Sequence, residues 1–399
     1  MSISHYLLLF TITIQQINAI ELAPPKVTNP PTWSWDTLGS MTFAHTGQST
    51  AYTSKDLQLL SKFPIVQFDK KEMIADQPNV DAIDRFIYAA KAVRDAHTTS
   101  TVQILLYING LIDFPSFQHL YNKTSANNSL LLRDESGKLL KIRGNNVFDV
   151  RQPAMRKIFV DAALYGMSSQ QFNGVFIDRG NWCEKSDCKI QWSSSICQSM
   201  VVSQQKLLEE LAAVLGEGNI TLSKITSGTF NVEKDWEVAN AAMTSDTFCS
   251  HYCHNCNNSI DPANKWNHPI DSQNCADSMT KITEMSQRQQ LTESHAMGPF
   301  EGTYSDAARE FTMAAFLIAA GNLSFYSYAD WSHNCWELAG TKWWKEYDEK
   351  LGYPTSPANT LVSGKRWKYE RHFSSGTSVY VDVATRVVKI DWGNSTSTL

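Results

Sequence analysis

Short, almost wholly apolar runs, separated by stretches long enough for a helix, constrain this chain more than any other feature. Pro64–Phe68 reads PIVQF, Val102–Tyr107 reads VQILLY and Gly174–Asp178 reads GVFID. A strand with one wet face alternates apolar and polar residues, whereas a strand covered on both faces has no reason to. Sheets covered on both faces are parallel sheets wrapped by helices. The same reading finds strands at Met41–His45, Ile220–Lys224, Ala241–Asp246, Gln290–His295 and Leu323–Tyr328.

Helical spacing fills several of the gaps. Residues 80–93 set Ile83, Phe86, Ile87, Ala90 and Val93 on one stripe, and residues 200–215 do the same with Leu207, Leu208, Leu211 and Leu215 before a stop at Gly216. Residues 306–320 follow Ser305 and run through a third apolar face. Eight strand–helix units between residues 41 and 328 predict an α/β fold, a (β/α)8 TIM barrel. A doubly wound open sheet is the competitor, but the chain has neither a glycine-rich dinucleotide fingerprint nor a phosphate loop.

Beyond about residue 340 the pattern changes to three alternating runs, Trp367–Phe373, Thr377–Val383 and Val387–Trp392, with Ser374-Ser375-Gly376 as a tight turn. The expected organisation is a barrel over residues 20–340 and a small C-terminal antiparallel β extension over residues 341–399, packed on the barrel. Pro24, Pro25, Pro30 and Pro31 make residues 20–32 a stiff lead-in.

The first nineteen residues carry an apolar run from Tyr6 to Ile14, then polar residues and the small-residue ending Ile17-Asn18-Ala19. That pattern predicts a signal peptide over residues 1–19. It is shorter than the roughly 20 apolar residues that cross a bilayer, and no other segment reads as a membrane span. Secretion agrees with six N-x-Ser/Thr sequons, at Asn122, Asn127, Asn219, Asn257, Asn322 and Asn394, and with an even count of eight cysteines. A formal net charge of −5 gives no basic footprint for nucleic acid or an anionic membrane.

Cys249, Cys253 and Cys256 have the C-x3-C-x2-C spacing of radical enzymes that hold an iron–sulfur cluster, with His251, His254 and His268 nearby for a zinc alternative. Either metal needs reduced thiols. An oxidising compartment favours disulfides, and no metal or other cofactor is expected.

In a barrel, the C-terminal ends of the strands and the loops after them build the active site. Asp178 stands at such an end, as do Asp69, Asp246 and His45; Glu293 lies within its strand and Asn109 follows the third. Carboxylates converging on one mouth suit glycosidic cleavage, in which one group protonates the leaving oxygen and another attacks or activates water. The competing reading of any single acid is a cap or a salt bridge. No G-x-S-x-G elbow, H-E-x-x-H pair or EF-hand loop points to other chemistry.

Several stretches carry a family resemblance: SWDTLGSMTFAH at the first strand, KFPIVQFDK at the second, LLYING at the third, FDVRQP and NGVFIDRGN leading through the fourth, EFTMAAFLIAAGNLSFYSYADW through the eighth, and RHFSSGTSVYVDV near the end. Over residues 33–392 the chain resembles secreted TIM-barrel glycoside hydrolases related to the endo-polygalactosaminidase families. The resemblance implies one catalytic acid after strand four and one after strand six. Asp178 matches the first and is expected to be nucleophile or base. Asp246 matches the second as the acid, although relatives place Glu where this chain reads Thr-Ser-Asp, which retracts the carboxyl by about one methylene; Glu293 is the reserve acid. His45, Asp69, Asn109, Trp182 and Tyr328 are the expected substrate-binding residues, Arg179 and Asn181 the expected loop supports.

The leading expectation is a secreted O-glycosyl hydrolase acting on an extracellular polysaccharide or glycan. The alternative is a carbohydrate-binding or matrix protein that keeps the cleft without a competent second acid.

Overall fold

The structure is a computed structural model that describes residues 27–393 apart from 47–51, 75, 97–100, 143, 182–193, 226–238, 246–247, 250–271, 299–304 and 331–340. Eight strands form one parallel sheet in sequence order: β1 (Met41–Ala44), β2 (Ile65–Phe68), β3 (Gln103–Asn109), β4 (Gly174–Asn181), β5 (Ile220–Ile225), β6 (Ala241–Ser245), β7 (Leu291–Gly298) and β8 (Ser324–Asp330). The sheet closes on itself where Ser40 bridges Tyr326 and the Tyr326 amide donates to the Gly39 carbonyl at 2.9 Å. The chain is therefore a TIM barrel, and each predicted strand lies on an observed one.

Wrapping the barrel are α1 (Ser54–Leu60), α2 (Ala82–Ala96), α3 (Gln118–Ala126), α4 (Pro153–Ser168), α5 (Ser194–Leu215), α6 (Ser272–Gln287) and α7 (Ser305–Ala319). Helix α1 starts on a capping box, in which Thr53 Oγ1 accepts from the Asp56 amide and Asp56 Oδ2 accepts from the Thr53 amide. Helix α4 opens on Pro153, whose missing N–H would be unsatisfied there in any case. Close approach sets two glycines: a Cβ on Gly166 would meet Leu106 Cδ2 at 2.4 Å, and one on Gly174 would meet the Ile220 carbonyl oxygen at 2.1 Å.

Ile104, Leu105, Leu106 and Ile108 of β3 are all fully buried, the double covering that their unbroken apolar run predicts. Each such side chain contributes about 1.5–3 kcal/mol on leaving water.

Three C-terminal strands, β9 (Lys368–His372), β10 (Ser378–Asp382) and β11 (Val387–Asp391), form a separate antiparallel sheet. Gly376, at φ +90°, makes the turn between the first two. The sheet docks through buried Val379 and Val381 and through Arg371. From β9, Arg371 Nη1 donates to the carbonyls of Leu317 (2.8 Å), Ile318 (3.3 Å) and Ala320 at the C-terminal end of α7. A cation satisfies these last carbonyls and complements the helix dipole, even though burial draws this guanidinium down to about 10.

A second small antiparallel sheet, Ile112–Asp113, Lys141–Ile142 and Asn145–Val147, sits in the connection after β3 and is not anticipated by the sequence reading. No helix among the described residues is long and apolar enough to cross a membrane.

Candidate active site

Strand pairing fixes which residues face the barrel axis. In parallel neighbours, paired residues share a face, and successive residues alternate. Phe43 pairs with Gln67, Gln67 with Leu105, Tyr107 with Phe176 and Asn109 with Asp178. The rings of Phe43, Tyr107, Phe176 and His295 meet inside the barrel, with centroids 5.7–5.9 Å apart for each contact. One step along each strand towards its C-terminus come His45, Asp69, Asn109 and Asp178, which form the described part of the mouth.

Two neutral donors hold Asp178 on one oxygen. Its Oδ2 accepts from the Tyr107 hydroxyl at 2.7 Å and from Asn109 Nδ2 at 2.9 Å. The Asn109 amide has one workable orientation, because its Oδ1 accepts from the amides of Leu111 (3.1 Å) and Ile112 (2.7 Å). Nδ2 must then face Asp178 and the Tyr107 oxygen, the latter at 3.2 Å. Tyr107 is buried among Phe43, Phe86, Phe117 and Phe176. Burial, and after it the charges of Asp178 and Asp69, push its phenol well above the usual tyrosine range. It therefore remains a proton donor to the carboxylate. Asp178 itself is only half-buried, so the mouth reaches it.

Replacing Tyr107 with Phe keeps this packing and removes one charge-assisted donor, worth about 1.5–3 kcal/mol. We expect turnover to fall by roughly 10- to 100-fold, and the acidic limb of the pH–rate profile to move upward because the carboxylate loses a stabilising partner. An unchanged profile measured across that limb would contradict the assignment.

Asp69 is buried beside Lys70, whose Nζ lies 3.3 Å from Oδ2 and 5.5 Å over the Phe114 ring. His45 is buried at the end of β1. Glu72 ties the loops after β1 and β2 together: its carboxylate accepts from the Thr46 amide (3.0 Å), the Thr46 hydroxyl (3.0 Å) and the Tyr52 hydroxyl (2.8 Å). Burial raises Glu72 from 4.5 to about 7, against the opposing pull of those donors.

A carboxyl raised on folding favours the protonated folded state, so its contribution is complete below 4.5, is lost as pH rises to about 7, and is flat above. The stability difference between wild type and Glu72→Gln should therefore change by about 3 kcal/mol across that window, at 1.36 kcal/mol per pH unit. Chemical denaturation at several pH values reads it; a pH-independent difference contradicts it.

The remaining expected site residues separate. Glu293 is fully buried in the barrel interior, below the mouth, and Gln67 Nε2 donates to both of its oxygens at 2.7 and 2.8 Å. Burial pushes its carboxyl up, with His295 and Gln67 acting in the other direction. Tyr328 faces away from the axis, on the same side of β8 as Tyr326, which bonds Thr312 of α7. It is 3% exposed and packs on Trp344 with centroids 5.9 Å apart, so its ring does not face the mouth where substrate binding was expected of it. Asp246 and Trp182 lie outside the described residues, as do the side chains of Arg179 and Asn181.

Tyr107 and Gln67 escape the sequence reading, although Tyr107 stands two residues before Asn109, on the same strand face. That period-two relation was the available signal.

Cys249 is bonded to Cys275. A sulfur so engaged cannot serve as a thiolate ligand, which overturns an iron–sulfur cluster on Cys249, Cys253 and Cys256; the last two lie outside the described residues. Cys197 is also disulfide-bonded. Among the described residues no group of three His, Cys, Asp or Glu could hold a metal ion.

Comparison with solved structures returns glycosidases. An α-amylase from Lactobacillus plantarum aligns with TM-score 0.51 and 10% identity over 90% of this chain and 95% of that one. A maltogenic α-amylase from Thermotoga neapolitana gives TM-score 0.47 and 10% identity, covering 88% of this chain and 86% of that one. A sulfoquinovosidase from E. rectale gives 0.49 and 12%, with 82% of this chain spanning 47% of that longer one. At such identities the likeness is one of fold. No curated protein matches the chain. A family profile does, over residues 97–377, which include strands β3–β8, Asp178 and the start of the C-terminal sheet. On that match the chain belongs to hypothetical glycosyl hydrolase family 15, as a TIM barrel of the glycosidase class.

Proposed function

We propose that the protein is a secreted O-glycosyl hydrolase that cleaves an extracellular polysaccharide or glycan, with Asp178 as nucleophile or as the base that activates water. The observation that carries this reading is the setting of Asp178. It is a half-buried carboxylate at the C-terminal end of β4, held on one oxygen by Tyr107 and Asn109. Those two donors fix where the carboxylate and its charge point. That charge faces the place where a sugar acquires positive character as its acetal bond breaks.

Asp246, one residue beyond β6, is the proposed partner acid that protonates the leaving oxygen. A carboxyl separation near 5 Å would give retention through a glycosyl-enzyme, and roughly 6.5–9.5 Å would give inversion. Lys70, His45 and Asp69 are proposed to hold sugar hydroxyls at the rim. The printed activity of the Lactobacillus plantarum neighbour, an α-amylase, agrees with the reaction class and leaves the sugar open.

A polysaccharide panel tests the reading. Reducing ends should appear with at least one substrate, and nuclear magnetic resonance of the first product should show a single anomer. Binding to glycans with no bond cleavage on any of them would replace the hydrolase by a sugar-binding protein. Secretion is tested separately, by sequencing the N-terminus of the exported chain, which the cleavage pattern places at Ile20.

A further inference from the structure

The barrel interior holds a carboxylate that the reaction outlined above does not use. Glu293 on β7 is fully buried, and such a group is costly to keep unless it is paired and hydrogen-bonded. One partner, Gln67, comes from β2. Strands β2 and β7 are not neighbours, because β1 and β8 stand between them, so the bond crosses the barrel axis. On the same face of β7, two residues nearer the mouth, His295 places Nε2 3.7 Å from Glu293 Oε2. The His295 ring contacts Phe43 at 5.9 Å, and Phe43 contacts Tyr107 at 5.8 Å. Tyr107 donates to Asp178.

We propose that Glu293 is a positioning residue: anchored across the axis by Gln67, it orients His295, and through His295 and Phe43 it holds the Tyr107 ring that carries the hydrogen bond to Asp178. Glu293 is thus not the reserve proton donor that its place near a strand end suggests. It lies beneath the mouth, and both of its oxygens are engaged. Glu293 determines which edge of the imidazole turns inward, because a carboxyl oxygen attracts a ring N–H and repels a bare ring nitrogen. Rotating the imidazole would change the surface against which Phe43 packs, and close-packed interiors transmit such shifts instead of absorbing them. Among the described residues, the other titratable groups on the inward faces around His295 are His45 on the β1 side, Asp69 on the β2 side, Tyr107 on β3 and Asp178 on β4. The proposal rests on the assignment of Asp178 as the reacting carboxylate.

Three variants test it: Glu293→Gln, His295→Gln and the double substitution, each checked for folding by circular dichroism. Each single change should lower kcat by roughly 10-fold with KM little changed. The double variant should lose no more than the worse single one, because residues acting in series are not additive. Losses that multiply, or single variants with wild-type kcat, overturn the proposal.

A readout without substrate separates this idea from the fate of Asp178. The ring resonances of His295, identified by their loss in His295→Gln, should move in Glu293→Gln relative to the wild type at one fixed pH. Unmoved resonances refute the pair whatever Asp178 does, whereas full activity of an Asp178 variant removes the reacting carboxylate and leaves the pair standing. If Glu293→Gln fails to fold, His295→Gln alone is read: wild-type kcat and pH profile in that variant overturn the proposal.

Discussion

Asp178→Asn is expected to reduce turnover by roughly a thousandfold, about 4 kcal/mol of transition-state stabilisation, with no large change in melting temperature. Asparagine has nearly the same shape and can still accept from Tyr107 and Asn109 through its carbonyl oxygen. The half-buried side chain loses little packing. What disappears is the negative charge, together with the ability to attack carbon or remove a proton from water. The measurement is kcat on the best substrate from the panel, with thermal denaturation run alongside. Loss of activity in a folded variant places the fault in the chemistry. Comparable loss of folding would reduce Asp178 to a structural acid, and full activity would remove it from the mechanism.

The second large effect falls on stability. Arg85 of α2 is fully buried, and its guanidinium gathers the loop after β2 by donating to four backbone carbonyls: Glu72 (2.7 Å), Gln77 (3.3 Å), Lys70 (3.4 Å) and Val80. That loop begins with Asp69 and contains Glu72, so its conformation sets one side of the mouth. Arg85→Ala leaves all four acceptors without this donor. The Gln77 carbonyl keeps the Val80 amide at 3.1 Å; at about 1 kcal/mol for each of the other three acceptors, the lower end of the usual range, the loss comes to roughly 3 kcal/mol. Lysine should rescue little of it, since a compact ammonium lacks the planar fork that reaches carbonyls in several directions. Chemical denaturation of both variants checks this. A loss below about 1 kcal/mol for Arg85→Ala would mean that water replaces the guanidinium at negligible cost.

How much of this was legible in the sequence depends on how local each signal is. The first four strands were, because burial on both faces writes itself into consecutive residues such as those of GVFID, whereas the more polar fifth to seventh were placed by their alternation with helices. The C-terminal sheet was as well, since alternation around Ser374-Ser375-Gly376 needs only a tight turn to make a hairpin. Helices α2, α5 and α7 announced themselves through clean apolar stripes. Helix α4 is less plain, because Arg156 interrupts its buried face and pairs there with Glu210 of α5 at 2.9 Å. Helix α6 buries Cys275, Met279, Ile282 and Met285 amid polar residues, so its stripe is thin.

The position of Asp178 could be read from the strand end, but its holder Tyr107 could not be reached without knowing that β3 pairs with β4 in that register. Gln67 and Glu293 are 226 residues apart and meet only when the barrel closes. Nothing near either residue in the chain encodes that contact. Tyr328 shows the opposite failure: a ring at a strand end looked available, and the parity of β8 turned it away from the axis.

The most direct test of the central claim is chemical rescue of Asp178→Ala by sodium azide. If Asp178 reacts at the sugar, the truncated enzyme should be nearly inactive, and azide, small enough to enter the space left by the carboxylate, should restore turnover and appear in the product as a glycosyl azide. Its anomeric configuration would then separate nucleophile from base. An Asp178→Ala enzyme that hydrolyses substrate at the wild-type rate, and forms no azide adduct, would contradict the claim.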